Sequence, residues 1–200
     1  MEQANRQDIQ ERFELIEKMM LEARRTTEYW GWNFVLWGAA YLIAIAWTAL
    51  GRMPNLAWPV TMIAAGVATA VIARRKSRGQ PGTILGRAMT AIWTSIGVAL
   101  FIFCFATSGT GHWETHASLA AIESFLGAAN MASGILLRWR VQAAVGILWW
   151  AAAIATCLVP ASQVGWIFIA ITVVGMIGFG LYLMVLESKA KSGTQKVAHA

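Results

Sequence analysis

Residues 164–186 read VGWIFIAITVVGMIGFGLYLMVL, a run of 23 residues without one charged side chain. About 20 apolar residues wound as a helix cross the hydrocarbon core of a bilayer. A surface helix of a water-soluble protein keeps a polar face, and this stretch has none. Five more runs of the same kind precede it. The six fall at about Trp32–Leu50, Leu56–Ala73, Ala88–Thr107, His116–Leu137, Val141–Val159 and Val164–Leu186. Lipid offers no partner to a free N–H or C=O group, so runs of this length are expected to be helices. The expected fold is therefore all-α: a polytopic membrane protein of six transmembrane helices arranged as three helical hairpins.

The composition agrees. The 200 residues are 58% hydrophobic and 13% charged, with 11 Trp. A soluble domain carries about a quarter charged residues. The net charge of +6 would suit nucleic acid, but no basic stripe interleaved with surface aromatics occurs. Nucleic acid is therefore excluded as an expected partner. The lipid bilayer takes its place.

The basic residues orient the chain. Arg74, Arg75, Lys76, Arg78 and Arg87 follow the second run, Arg138 and Arg140 follow the fourth, and Lys189, Lys191 and Lys196 follow the sixth. The three alternate loops hold only Arg52, so 15 of 16 Lys and Arg fall on one side. Positive residues mark the cytoplasmic side, which places both termini inside. Trp30, Trp32 and Trp139 are then expected at the inner interface, and Trp58, Trp113 and Trp166 near the outer one. Residues 1–29 are charged throughout and lack the apolar core of a signal peptide. The expected organisation is a cytoplasmic amphipathic helix at 1–29, a bundle at 30–187 and a basic cytoplasmic tail without fixed structure at 188–200.

The front segment QDIQERFELIEKMMLEARRTTEYW spaces Ile9, Phe13, Ile16, Met20, Ala23, Thr27 and Trp30 by alternating steps of four and three. That is a heptad seam on a helix. Residues 1–29 hold seven acidic and five basic residues. Helices that lie on anionic lipid are rich in Lys and Arg, so this one suits a protein surface better. Two readings stand. The seam folds under the bundle against the basic loops, or Ile9, Phe13, Ile16 and Met20 dock a cytoplasmic protein partner or a second copy.

The fourth run, HASLAAIESFLGAANMASGILL, places His116, Ala120, Glu123, Gly127, Asn130 and Gly134 on one helical face. Small and polar residues avoid lipid and let helices approach, so this face is expected inward. The glycines of GMIGFG at 175–180 make a similar patch in the sixth run. Glu123 is the only acid well inside any run. An ionisable residue in a transmembrane segment is a functional candidate by default. It carries protons or cations, or as a neutral acid it hydrogen-bonds a neighbour and pins the bundle.

Upstream, GTGHWETHAS at 109–118 places His112 and His116 four apart with Glu114 between them. On one helix turn these make a candidate metal or pH-sensing set. HxExH is not the HExxH of zinc hydrolases, and Gly109 and Gly111 oppose a helix that starts before His112. Headgroup-level loop residues are the competing reading. Cys104 and Cys157 fall near the outer ends of runs three and five, where a disulfide or simple packing is open. No phosphate-binding loop, dinucleotide glycine pattern or serine-nucleophile set occurs, so no enzyme and no cofactor is expected.

The segments IEKMMLEA, WGWNFVLWGAAYL and FLGAANMASGILLRWRVQAAVGILWWAAA resemble a poorly characterised family of small bacterial six-span inner-membrane proteins with an N-terminal amphipathic helix. The resemblance implies a bacterial inner-membrane location and no catalytic residues. It also implies likeness to proteins encoded beside small winged-helix regulators, hence signalling. The expected function is a non-enzymatic sensing or scaffolding module coupled to a cytoplasmic partner through its N-terminal helix. The alternative is a small transporter or channel for protons, cations or a lipophilic solute, centred on Glu123. A lipid-active enzyme using His112, Glu114 and His116 is the third.

Overall fold

A computed structural model describes residues 10, 11, 13, 31–51, 53–76 and 84–198. The described chain is helical almost throughout. Its helices are α1 (Gly31–Leu50), α2 (Pro54–Lys76), α3 (Ile84–Gly109), α4 (Thr115–Leu136), α5 (Arg140–Leu158) and a long α6. Helix α6 runs Ala161–Thr172, continues through a π-helical turn at Val173–Gly178, and resumes as Phe179–Ala198. Among the described residues, six helices are long and apolar enough to cross a membrane.

Local chemistry explains the breaks. Pro54 opens α2, where its missing N–H costs nothing. Gly111 takes a left-handed φ of 71° between α3 and α4, a conformation glycine adopts without strain. Arg138 adopts φ 49° in the α4–α5 turn, and the Trp139 N–H closes that turn on the Gly134 carbonyl at 2.7 Å. Pro160 forces the preceding Val159 into extended backbone, which ends α5 at Leu158.

Helices α4 and α5 form the most extensively packed pair, followed by α1 with α6 and α1 with α2. Glycines set the first two contacts. A Cβ on Gly134 would lie 2.5 Å from the Ala143 backbone nitrogen. One on Gly146 would lie 2.8 Å from the Met131 nitrogen and 2.9 Å from the Gly127 carbonyl oxygen. At the α1–α6 contact, a Cβ on Gly31 would lie 2.7 Å from the Gly180 carbonyl oxygen. The core sits between α1, α4, α5 and α6, around Phe34, Tyr41, Trp149 and Phe168. Helix α3 is peripheral: Met89 is its only buried residue, and Val98, Phe101, Ile102 and Phe105 are exposed.

The tail expected to lack structure from 188 is helical as far as Ala198, because α6 continues with no proline to stop it. Trp139, expected at the inner interface, is buried against the Phe179 ring at 6.0 Å. Of the N-terminal segment, Gln10, Glu11 and Phe13 are helical and exposed. Ile9, Ile16 and Met20, with the remainder of the expected 1–29 helix, lie outside the described residues.

Candidate functional site

Most polar side chains in the helices are satisfied locally. Thr48, Thr61, Thr90, Thr107 and Thr110 each donate to the carbonyl four residues back, at 2.6–2.9 Å. Trp37 Nε1 donates to Thr69 Oγ1 at 3.1 Å, and Thr69 donates on to Asn33 Oδ1 at 3.1 Å, tying α1 to α2. Trp93 Nε1 donates to Ser133 Oγ at 3.1 Å, tying α3 to α4.

One set of buried groups breaks this pattern. Glu123 is 0% exposed, and neither carboxyl oxygen has a hydrogen bond of ordinary geometry. Asn130 spends its amide nitrogen on the Leu126 carbonyl at 2.9 Å, which leaves its Oδ1 unpaired. Both side-chain polar atoms of Gln142 are unpaired, as are Trp149 Nε1, Thr156 Oγ1 and Thr172 Oγ1. All six residues are buried. Each unpaired buried group costs about 1–3 kcal/mol. Thr156 and Thr172 forgo the back-bond that Thr48, Thr61, Thr90, Thr107 and Thr110 make. Thr156 instead turns its hydroxyl toward the Glu123 carboxyl.

The positions are periodic. His116, Glu123 and Asn130 are spaced by seven on α4, and Gln142, Trp149 and Thr156 by seven on α5. Seven residues make about two turns, so each set forms one stripe. The contacts Gly134–Ala143, Met131–Gly146 and Glu123–Thr156 give an antiparallel register. That register puts Asn130 level with Trp149, and Gln142 level with Leu137. The Trp149 indole also reaches α6: a Cβ on Gly175 would lie 2.8 Å from its Nε1. Gly175 lies within the π-helical turn, directly after Thr172. π-turns interrupt regular helix pairing and recur at functional sites.

The GTGHWETHAS segment caps one end of this stripe. Glu114 is the N-cap of α4, and its carboxylate accepts from the Ala117 N–H at 2.6 Å and the His116 N–H at 3.1 Å. Those donors, Ala117 first, hold the Glu114 carboxyl below the usual carboxylate range. Its contribution is therefore present above that range and lost as pH falls through the lowered value. Glu114→Ala is expected to speed amide exchange at His116 and Ala117, with Glu114→Asp restoring protection; unchanged exchange in the alanine variant would remove the cap from this account. His116 Nδ1 lies 3.3 Å from Glu114 Oε1, and its Nε2 lies 3.1 Å from the Val159 carbonyl. His116 thereby joins the start of α4 to the end of α5.

His112 does not join them. Helix α4 begins at Thr115, so His112 precedes the helix and does not share a face with His116. Among the described residues, no three His, Cys, Asp or Glu groups come close enough to hold a metal ion. Cys104 and Cys157 are both free thiols, the first half-buried and the second exposed. The α4 face of Ala120, Glu123, Gly127, Asn130 and Gly134 is buried. Gln142 and Thr156 are the members that reading the sequence missed; their spacing about Trp149 was the available signal.

The molecule is thus an all-helical bundle whose six apolar helices suit a membrane protein and whose best-packed helix pair encloses unpaired polar groups. Compared with protein-family models, curated proteins and solved structures, the chain matches none. The likeness to small bacterial six-span proteins rests on the quoted segments alone.

Proposed function

We propose that this is a non-enzymatic protein of the bacterial inner membrane that moves protons or small cations through its bundle at Glu123. Its six helices cross the bilayer as three hairpins with both termini cytoplasmic, the orientation that 15 of 16 basic residues on one side supports. The observation that carries the function is the Glu123 carboxyl, wholly buried with no hydrogen bond of ordinary geometry and only the Thr156 hydroxyl turned toward it, in a stripe of polar groups on α4 and α5. A carboxyl in lipid is costly and rare, and recurs in proton relays and ion pathways.

Purified full-length chain in vesicles, with a pH dye or a cation dye inside and an imposed potential, tests this. Flux of protons, sodium or potassium above that of protein-free vesicles is the expected result. Rates equal to protein-free vesicles for all three would end the proposal.

A second reading is a sensing or scaffolding module coupled to a cytoplasmic partner through residues 1–29. Phe13 favours it: it is helical and 67% exposed, outside any expected span. Deleting residues 1–26 is expected to abolish co-purification of that partner, or to dissociate a homodimer. An unchanged oligomer and an unchanged partner set would count against the arm.

A further inference from the structure

We infer that the unpaired groups between α4, α5 and α6 hold a file of internal water that conducts protons the length of the bundle. This rests on the Glu123 transport reading above and specifies its cargo and its path.

The chemistry of the unpaired atoms selects the cargo. A site for a dry metal cation presents oxygen acceptors only. Here donors and acceptors alternate. Glu123 and Asn130 Oδ1 accept, Trp149 Nε1 donates, and Gln142, Thr156 and Thr172 can do both. Water matches such a mixture, since it donates and accepts, and buried water typically bridges otherwise unpaired polar groups. A chain of water and hydroxyls passes a proton by successive hops.

The spacing sets the path. The α4–α5 register places Thr156 level with Glu123, Trp149 level with Asn130, and the buried Ser133 between Asn130 and Gln142. The Trp149–Gly175 contact places Thr172 between the Glu123 and Asn130 layers. At about 1.5 Å per residue, successive stations from Glu123 to Gln142 lie roughly 5 Å apart, a gap that one or two waters span, and His116 stands about 10 Å from Glu123. The length from His116 to the level of Gln142 is about 30 Å, the thickness of the hydrocarbon core. His116 stands at the outer mouth, held between Glu114 and Val159. At the inner end Gln142 lies two residues from Arg140.

Only Glu123 titrates among the stations. Helices α5 and α6 bring no charged group to its level, since α5 carries Arg140 at its far end and residues 161–186 of α6 carry none. The other ionisable side chains of α1 and α3–α6 are His116 at the start of α4, Tyr41 on α1, Arg87 and Cys104 on α3, Cys157 on α5, and Tyr182, Glu187, Lys189, Lys191 and Lys196 on α6. In each cycle Glu123 takes a proton from the outer water file, becomes the neutral acid, and releases that proton to the inner file. The net change in the protein is zero.

The test compares wild type with Thr172→Val, Gln142→Leu and Glu123→Gln in vesicles carrying an internal pH dye under a potassium-diffusion potential. Thr172→Val and Gln142→Leu are each expected to slow proton entry at least about tenfold, and Thr172→Ser to restore it. Thr172→Val keeps side-chain shape and deletes an unpaired hydroxyl, so its thermal midpoint should hold or rise. A lowered midpoint with unchanged flux would instead make Thr172 structural and overturn the path. If Glu123→Gln stops proton entry while Thr172→Val and Gln142→Leu conduct normally, the water file is wrong and the Glu123 reading stands. If Glu123→Gln conducts like wild type, the Glu123 reading falls with it. Sodium or potassium flux without proton flux overturns the choice of cargo alone.

Discussion

Glu123→Gln is expected to reduce flux in vesicles to the level of protein-free membranes while leaving the bundle folded. Glutamine keeps the shape of the neutral acid and cannot take up or release a proton. Both carboxyl oxygens are buried without a partner of ordinary geometry, so the substitution breaks no ion pair. No cation from the packed helices stands at that level either, so none is left uncompensated. Removing one member of a buried pair would be costly, and that cost does not arise here. Helical content and thermal midpoint should therefore stay near wild type. Glu123→Asp should retain part of the flux, since the ionisable group persists on a shorter arm. Wild-type flux in the glutamine variant would show that ionisation of Glu123 is not required.

Gly146→Leu is expected to cause a large loss of stability, among the largest of single substitutions in the α4–α5 pair. Its Cβ alone would approach the Met131 nitrogen to 2.8 Å and the Gly127 carbonyl oxygen to 2.9 Å. Those atoms belong to a helix backbone and cannot swing aside as a side chain would. Overpacking a core typically costs about 1–3 kcal/mol, and a backbone clash sits at or above the top of that range. Moving α5 away would also part Thr156 from Glu123, so flux should fall together with the thermal midpoint. Gly66→Leu is the control, because a Cβ at Gly66 meets nothing within 4 Å. Tryptophan fluorescence through a thermal ramp in detergent reads both. Equal midpoints for the two variants would refute the close contact.

The half of the polar stripe on α4 was legible because Glu123 is the lone acid in an apolar run, and His116 and Asn130 flank it at helical spacing. The half on α5 was not. Gln142 lies near a helix end, where polar residues are ordinary, and Trp149 and Thr156 are common in apolar helices. Neither residue is unusual until its orphaned atoms are seen. The metal set failed for a local reason: Glu114 spends its carboxylate capping α4, and the helix starts too late to include His112.

By itself the sequence determined the approximate positions of the six apolar helices, though not the continuation of α6 to Ala198, because the hydrophobic requirement of a helix in lipid acts on each segment separately. It also determined which α4 face is small and polar. The tertiary structure alone decided that α4 pairs most tightly with α5, that α3 stays peripheral, and that Gln142, Trp149, Thr156 and Thr172 join Glu123. Those facts depend on close approach at Gly134 and Gly146 and on the register it sets. Such contacts are properties of two surfaces together, and no single segment carries them.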